Sequence, residues 1–301
     1  MTLKQNFNKK FQDNFKENVN LSNYSWFNLG GKAEYFFKAE DTKQLIYFLK
    51  EIKTYDLRTT IVGAGSNILF RDNGVKGAVI KLGKNFSYTK LIGKNIIEAG
   101  GATLDKKIAD FAKNNNLGNF EFLSCIPGSI GGGIIMNSGC YENDISKVLL
   151  SITAIDKCSL KEIEIKKKDI NFSYRGTDLS KNLIVTSVKL RGKVGIKEEI
   201  EKKQKYLINK KKLDQPSRIK TCGSTFKNIS KNKKAWMLIK KAECENFKEG
   251  DAMISNKHCN FFVNNGNAKS TDIENLINRV KKQVFEKTGE KLELEIKIIG
   301  E

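Results

Sequence analysis

The stretch that decides the fold is Ile126-Pro127-Gly128-Ser129-Ile130-Gly131-Gly132-Gly133-Ile134-Ile135-Met136-Asn137-Ser138-Gly139. It holds five glycines between residues 128 and 139. Glycine lets the main chain approach a ligand closely and adopt positive φ, but it loses more conformational entropy on folding than other residues do. A segment this rich in glycine therefore indicates a place where backbone meets a ligand.

A second glycine loop, Gly63-Ala64-Gly65-Ser66-Asn67, follows the predicted strand Thr59–Val62. A dinucleotide fingerprint would need glycine at position 68 and a helix directly afterwards. The chain has Ile68 there and then an Asp-Asn-Gly turn at 72–74, which argues against a Rossmann unit. The small residues can instead form an anion-binding nest, with a ligand-free tight turn as the alternative. Together the two loops suit one extended ligand with a pyrophosphate in its middle.

Hydrophobic periodicity predicts the elements around these loops. Phe7, Phe11 and Phe15 suggest a short amphipathic helix in the first twenty residues, and Thr103 is expected to cap a helix that follows it. Further helices are predicted at 41–55, 196–213, 233–242 and 271–287, and strands at 59–62, 78–82, 95–98, 152–155, 162–165, 183–190, 260–263 and 292–299.

The composition narrows the class of protein. A net charge of +20 invites a nucleic-acid hypothesis. The lysines are spread along the chain among acids and asparagines, however, without the basic and aromatic stripe that tracks a polynucleotide. No run approaches the length of a membrane span. The N-terminus lacks the apolar core of a secretory signal, so a cytoplasmic protein is expected.

The cysteines and the histidine do not form a metal-binding pattern. Six single cysteines include no C-x-x-C pair, and His258 is the one histidine of the sequence. Zinc and iron–sulfur sites need clustered soft ligands, so no metal is expected. Reduced, structural thiols are the simplest interpretation.

Six motifs occur in order along almost the whole chain. They are Asn28-Leu29-Gly30-Gly31-Lys32-Ala33, the loops at 63–67 and 126–132, Phe172-Ser173-Tyr174-Arg175, Cys222-Gly223-Ser224-Thr225-Phe226-Lys227-Asn228, and Leu292-x-x-Glu295-Ile296-Lys297-x-x-Gly300. In this order they resemble the UDP-N-acetylenolpyruvoylglucosamine reductase family, within the flavoproteins of vanillyl-alcohol oxidase type. The chain lacks the segment that carries a substrate-binding tyrosine in one subclass, so it resembles the shorter subclass. Ile229 and Leu294 stand where the family commonly has proline.

The resemblance implies an α+β fold. A FAD-binding domain of vanillyl-alcohol oxidase type would occupy residues 20–192 in two lobes, 20–80 and 81–192. A C-terminal α+β substrate domain would follow at 196–290. Residues 1–19 would be an N-terminal extension, and residues 291–301 a C-terminal strand that returns to the active site.

The resemblance also implies the reaction and its cofactors. NADPH would give a hydride to non-covalently bound FAD, and the enolpyruvyl group of a UDP-sugar would then be reduced to UDP-N-acetylmuramate for peptidoglycan synthesis. The protein would act as a monomer without nucleic-acid or membrane partners. The residues implied for FAD are Gly63, Ala64, Gly65, Ser66, Asn67, Ile126, Pro127, Gly128, Ser129, Gly132, Asn137 and Gly139.

Three residues are implied as catalytic. Arg175 offers a permanently charged planar fork that suits a carboxylate. Glu295 matches a glutamate that helps to polarise the substrate carboxyl group, and Ser224 matches a proton donor to carbon. Outside the motifs, each has an ordinary alternative, as a surface arginine, a surface glutamate and a turn-capping serine.

Substrate binding is implied for Lys212 and Asn228. Lys212 is one of three consecutive lysines, and Arg218 is a further cation that could meet the diphosphate, so the residue that contacts the diphosphate stays open.

Two other functions compete with the reductase. One is a FAD-dependent oxidase of alcohols or sugars, against which the segment 222–228 argues. The other is a basic nucleotide- or nucleic-acid-binding module without catalysis, which would leave the motifs of Arg175, Ser224 and Glu295 unexplained.

Overall fold

The computed structural model describes Phe7 and residues 10–301. These residues form two compact units. Unit 1 contains the described residues up to Lys16, with Phe36–Ala64 and Ala78–Lys211. Unit 2 contains Glu17–Tyr35, Gly65–Gly77 and Lys212–Glu301. The domain limits expected from the sequence remain predictions.

The α-helices of residues 12–301 are α1 (Thr42–Lys53), α2 (Asp105–Asn114), α3 (Ile130–Ile135), α4 (Lys197–Asp214), α5 (Ala235–Lys241) and α6 (Ser270–Thr288). α1 begins where the Asp41 carboxylate accepts a hydrogen bond from the Gln44 amide at 2.7 Å, an N-cap. α6 ends at Gly289, whose φ of +73° is the left-handed conformation that glycine adopts readily. Within the described part of the chain, no helix is both long and apolar enough to span a membrane.

The strands, in chain order, are β1 (Phe15–Asn20), β2 (Lys32–Ala39), β3 (Thr59–Val62), β4 (Ile68–Phe70), β5 (Val75–Leu82), β6 (Thr89–Leu91), β7 (Ile96–Gly100), β8 (Leu117–Gly118), β9 (Gly139–Cys140), β10 (Asn143–Asp144), β11 (Leu149–Asp156), β12 (Glu162–Lys166), β13 (Phe172–Ser173), β14 (Gly176–Thr177), β15 (Leu183–Arg191), β16 (Lys193–Val194), β17 (Lys248–Glu249), β18 (Ala252–Ser255), β19 (His258–Asn264) and β20 (Lys297–Ile299).

Unit 1 is built on a five-stranded antiparallel sheet of order β12–β11–β15–β7–β6. Helices α2 and α3 share one hydrophobic core with this sheet, through Ile108 of α2, Ile134 of α3 and Val188 of β15, all fully buried. Because α3 carries the middle of the segment 126–139, packing on the sheet fixes that segment in place. A parallel pair, β3 and β5, aligns Val62 with Lys81.

Unit 2 is built on the antiparallel sheet β17–β18–β19. Helices α5 and α6 bury Ile239 and Val280 in the same core as Phe262 of β19. Strand β20 pairs in parallel with β4, so that Lys297 lies opposite Ile68. The C-terminal residues are thereby held beside the first residues that follow the loop 63–67.

The N-terminal helix prediction is partly wrong. Phe7, Lys10 and Phe11 are helical, whereas Phe15 begins strand β1. Residues 1–6, 8 and 9 of the predicted helix lie outside the described residues. The three phenylalanines are nevertheless buried together, since the ring of Phe7 stacks on those of Phe11 and Phe15 at 5.6 and 5.1 Å between centroids.

Two further predictions were wrong in detail. Thr103 does not cap α2, because its hydroxyl donates to the Tyr88 carbonyl at 2.8 Å and Leu104 occupies the N-cap position. The final strand is limited to Lys297–Ile299. Upstream of it, Leu294 forms an isolated antiparallel bridge with Phe226.

Candidate active site

The first glycine loop follows strand β3 and contacts a partly buried lysine. The Lys81 ammonium donates a hydrogen bond to the Gly63 carbonyl. Burial, together with the charge of Lys38, lowers the pKa of Lys81. The hydrogen bond from the Lys81 ammonium fixes the direction of the Gly63 carbonyl, and with it the orientation of the first peptide of the loop.

The second segment contacts the first within unit 1. A Cβ atom built on Gly63 would lie 2.6 Å from Oγ of Ser129, closer than real side chains approach. Ser129 is buried and precedes α3. The amide of Gly131 donates to the Gly101 carbonyl at 2.9 Å, and the carbonyl of Gly128 accepts from the amide of Asp105 at 3.0 Å. These bonds tie the segment to the start of α2.

The glycines of the segment fall into two groups. A Cβ on Gly131 would lie 2.8 Å from the main-chain carbonyl oxygen of Gly101, so packing alone requires glycine there. One on Gly133 would lie 2.6 Å from Cδ1 of Ile145, which would have to move. At Gly132 the nearest atom would be Oγ of Ser129 at 3.7 Å, an ordinary contact. The absence of a side chain there leaves room for a ligand.

Asp105 lies beneath this segment as a buried acid. Its side chain is fully buried, and neither carboxyl oxygen has a hydrogen-bond partner among the described residues. Burial raises the pKa of Asp105 to about 8. At neutral pH the group is therefore mostly a neutral carboxylic acid.

Asn137 connects the segment to the hairpin that carries Arg175. Its side-chain amide donates to the Ser173 carbonyl at 3.0 Å and accepts from the Ser146 amide at 3.2 Å. Arg175 lies in the turn between β13 and β14 with φ of +57°, a conformation that residues other than glycine seldom adopt. Its guanidinium lies 5.1 Å from the centre of the Tyr174 ring. The amide of Asn137 is thus engaged with protein backbone, and the turn exposes Arg175 in part.

In unit 2, a buried asparagine holds the strand-like segment of Ser224. The side chain of Asn260 accepts from the Phe226 amide at 2.9 Å and donates to the Phe226 carbonyl at 2.8 Å. The Asn260 carbonyl accepts from the Thr225 amide at 2.8 Å. Ser224 itself bridges to Phe261 of β19 and is partly exposed. Gly223 before it has φ of +79° with open space at its Cβ position.

Glu295 lies directly beside this segment. Its amide donates to the Thr225 carbonyl at 2.9 Å, and its carbonyl accepts from the Asn67 side chain at 3.0 Å. The Asn67 carbonyl in turn accepts from the Lys297 amide at 2.9 Å. Unit 2 therefore brings together three predicted site residues that lie far apart in sequence, namely Asn67, Ser224 and Glu295.

The sequence and structure match one enzyme family over nearly the full length. A family model for the C-terminal domain of UDP-N-acetylenolpyruvoylglucosamine reductase matches residues 215–299, and one for a FAD binding domain matches residues 33–158. The chain is 46% identical to UDP-N-acetylenolpyruvoylglucosamine reductase of Pelagibacter ubique (strain HTCC1062), over 97% of this chain and 98% of that protein. It is 42% identical to the enzyme of that name from Orientia tsutsugamushi (strain Boryong), over 97% and 96%.

This chain belongs to the UDP-N-acetylenolpyruvoylglucosamine reductase family. The crystal structure of the Thermus caldophilus reductase agrees, with a TM-score of 0.81 and 31% identity over 94% of this chain and 98% of that one. The predicted fold class, a FAD-binding domain followed by a C-terminal α+β domain, is confirmed.

The residues predicted for this family's substrate have different surroundings. Lys212 is exposed, and its carbonyl accepts from the Lys257 ammonium at 2.6 Å. The side chain of Asn228 accepts from the Ala235 amide at 3.1 Å, which holds the start of α5. The neighbouring Lys211 is instead half-buried, with its ammonium 2.6 Å from the Cys125 carbonyl oxygen.

The predicted site residues of the reductase family are divided between the units. Gly63, Ala64, the segment 126–139 and Arg175 belong to unit 1. Gly65, Ser66, Asn67, Lys212, Ser224, Asn228 and Glu295 belong to unit 2. Sequence reasoning missed the supporting residues Lys81, Asn260 and Asp105. Lys81 could have been found, because a lysine inside the apolar strand 78–82 is unusual. Asn260, beside two phenylalanines, and Asp105, at the start of a helix, occur in patterns too common to stand out.

Proposed function

We propose that this chain is a FAD-dependent oxidoreductase that reduces UDP-N-acetylglucosamine enolpyruvate to UDP-N-acetylmuramate with NADPH. Identities of 46% and 42% to two UDP-N-acetylenolpyruvoylglucosamine reductases, each over 97% of this chain, support the proposal. The structural observation that carries it is the hydrogen bond from the Glu295 amide to the Thr225 carbonyl, which aligns the residue after Ser224 with Glu295. Two unrelated stretches of sequence, each matching a family motif, are thereby side by side.

The glycine segments fit a bound FAD. Gly132 is a position where packing does not require glycine, and Gly63 meets Ser129 without room for a side chain. We assign FAD contact to the loop 63–67 and to residues 126–129, Gly132, Asn137 and Gly139, with main-chain N–H groups as donors to the diphosphate. When bound, FAD supplies the hydride carrier between NADPH and the enolpyruvyl group.

Three side chains stabilise the negative charge that develops on the substrate and supply the proton that the reduction needs. Addition of hydride to the terminal carbon leaves negative charge on the neighbouring carbon and its carboxylate, so catalysis needs cations and hydrogen-bond donors at the carboxylate. Arg175 supplies a fixed positive charge. Glu295, as a proton-bearing or hydrogen-bonded acid, polarises the carboxyl group. The Ser224 hydroxyl gives its proton to the carbon, a role in which position outweighs its weak acidity.

Binding of the UDP group is assigned to Lys212 and Asn228. The side chain of Lys212 is exposed, which suits contact with a diphosphate. The side-chain oxygen of Asn228 accepts from the Ala235 amide, which positions this side chain at the start of α5. The net charge of +20 favours capture of a polyanionic substrate.

We also propose that the protein is a cytoplasmic monomer with no nucleic-acid or membrane partner. Light scattering of the purified protein measures its oligomeric state. A polynucleotide titration at two salt concentrations tests for nucleic-acid binding, because electrostatic binding to nucleic acid weakens steeply with salt.

The half-reactions test the proposed function. Under anaerobic conditions, NADPH should bleach the flavin band, and only the enolpyruvyl UDP-sugar should restore it. Ser224→Ala should bleach normally and recover much more slowly, and Glu295→Gln should show the same selective loss. Ser180→Ala, at an exposed position in unit 1, is the control. Equal loss of both halves in Ser224→Ala would contradict its role, and bleaching without recovery in the unsubstituted protein would favour the oxidase.

A further inference from the structure

Two cysteines lie at the two ends of the glycine segment 126–139. Cys125 is the last residue of the 3-10 turn Glu121–Cys125, and Cys140 ends strand β9. Each thiol lies close enough to the other to shift its pKa. The Cys140 thiol also donates to the carbonyl of Phe122, in the same turn as Cys125, at 3.2 Å. The Cys140 thiol therefore contacts the turn that ends at Cys125, and the two ends of the segment lie side by side.

Cations surround this pair. The Lys211 ammonium donates to the Cys125 carbonyl at 2.6 Å, and its charge acts on both thiols. Arg175 acts on Cys140 as well. The pKa of the Cys125 thiol is lowered, because its interaction with the Cys140 thiol and the charge of Lys211 outweigh burial, which would raise it. Its interaction with Cys125, followed by burial, raises the pKa of the Cys140 thiol, and burial raises the pKa of the thiols of Cys222, Cys244 and Cys259. Cys125 is therefore the member of the pair that loses its proton more readily. Nearby positive charge is the usual setting of a reactive cysteine.

We propose that Cys125 and Cys140 are an oxidisable dithiol that forms a reversible disulfide at the base of the segment 126–139. With hydrogen peroxide as oxidant, the Cys125 thiolate attacks one peroxide oxygen and becomes a sulfenic acid, while the O–O bond breaks and the other oxygen leaves and is protonated to water. The Cys140 sulfur then attacks the Cys125 sulfur, the S–O bond breaks, and a second water leaves as the S–S bond forms. Two electrons pass from the sulfur atoms to the peroxide, and a small dithiol reverses the reaction by exchange.

The disulfide would change how the segment is held. The Cys140 S–H group would no longer donate to the Phe122 carbonyl, and the two ends of residues 126–139 would be covalently joined. A closed loop has fewer open conformations available. On the basis of the proposed function, FAD should therefore dissociate several-fold more slowly from the oxidised protein than from the reduced one.

Peptide mapping of the FAD-loaded protein tests the disulfide. The protein is treated with hydrogen peroxide, free thiols are alkylated, and the digest is analysed by mass spectrometry. We expect a peptide pair linked through Cys125 and Cys140 that disappears after dithiothreitol. A Cys158→Ser background removes the exposed cysteine as a competing target. Oxidation that leaves both thiols open to alkylation, or that links neither to the other, would overturn the proposal.

Lysine variants test the cause of the reactivity. Lys211→Met should slow disulfide formation several-fold, and Lys210→Met, at a lysine that lies 5.1 Å from the Tyr141 ring centre, should not. Equal rates in both variants would remove Lys211 from the proposal. FAD release is measured separately, by filtration of oxidised and reduced protein. Unchanged release with the disulfide present would overturn only its effect on the segment, and failure to bind FAD at all would instead contradict the proposed function.

Discussion

The side-chain amide of Asn260 makes two hydrogen bonds to Phe226, accepting from its N–H at 2.9 Å and donating to its C=O at 2.8 Å. All of these atoms are buried with Phe226, which is 0% exposed. Asn260 lies in β19, and its side chain adds these two bonds to the one that its main-chain carbonyl accepts from the Thr225 amide. It therefore sets the course of the main chain just after Ser224.

Asn260→Leu should destabilise unit 2 and misplace Ser224. Two buried backbone groups lose their partners, which lowers the free energy of unfolding by about 3 kcal/mol. Flavin reduction by NADPH should change less than reoxidation by the enolpyruvyl sugar. Urea denaturation and anaerobic stopped-flow absorbance measure the two effects. Asn267→Ala, at an exposed position in the next loop, is the control, and a variant as stable as the unsubstituted protein would contradict the account.

Periodicity predicted the elements whose buried faces are regular. The helix predicted at 41–55 is observed at Thr42–Lys53, and the one predicted at 271–287 at Ser270–Thr288, because each buries one apolar stripe. Phe15 broke the pattern, since its ring can join the aromatic cluster around Phe7 from a strand as well as from a helix. A local pattern does not distinguish these two backbones.

The sequence motifs that contain the candidate site residues could be predicted, whereas most contacts between those residues could not. The neighbourhood of Ser224 and Glu295 depends on the isolated bridge between Phe226 and Leu294, which joins segments far apart in the chain. A periodic pattern needs several residues of one element, whereas this bridge pairs a single residue from each segment. The sequence therefore predicted a strand from residue 292, where the structure has one from Lys297. The resemblance to the family, and not the pattern, linked these residues in advance.

Asp105→Asn should change how stability depends on pH. The folded-state pKa of Asp105 is raised by burial to about 8 from an ordinary 3.8, so the folded state holds the proton more tightly. Its contribution to stability is complete below about pH 4 and is lost as the pH rises towards 8. The asparagine variant lacks this loss, so its stability relative to the parent should increase by several kcal/mol between pH 4 and pH 8.

Urea denaturation of the two proteins between pH 4 and pH 9 measures this difference. Asp169→Asn, at an exposed turn of the same unit, controls for the loss of one negative charge. Parallel stability curves for Asp105→Asn and the parent would show that the buried acid is not the cause.

Neighbouring glycines should respond oppositely to alanine. In Gly131→Ala the new methyl group would lie 2.8 Å from the Gly101 carbonyl oxygen, and the strain should lower stability by about 1–3 kcal/mol. Gly132→Ala meets only Oγ of Ser129 at 3.7 Å, so the FAD-free protein should keep its stability. FAD binding should weaken by about tenfold, equal to about 1.4 kcal/mol, because the methyl group occupies ligand space. Thermal unfolding without FAD and fluorescence titration with FAD separate the two effects, and unchanged FAD affinity in Gly132→Ala would remove that residue from the cofactor site.

Asp72 stabilises the start of α6 and links it to pH. Its two carboxylate oxygens accept from the amides of Ser270 and Thr271 at 2.8 and 2.9 Å, and the Thr271 hydroxyl donates to it at 2.7 Å. Burial alone would raise the pKa of Asp72, but the hydrogen bonds from Thr271 and Ser270 outweigh it and lower the pKa below 3.8. Its contribution is therefore present above that value and is lost as the pH falls through the lower folded-state pKa.

Asp72→Ala should lower the free energy of unfolding by about 1–2 kcal/mol at pH 7, as loss of a helix cap does. Asp72→Asn keeps an accepting oxygen but not the charge that favours a helix N-terminus, so its loss should be smaller. Urea denaturation at pH 7 and again near pH 3 measures both variants. The difference between Asp72→Ala and the parent should shrink at the lower pH, since protonation weakens the cap in the parent as well. A difference that grows on acidification would mean that the carboxylate is not the stabilising form.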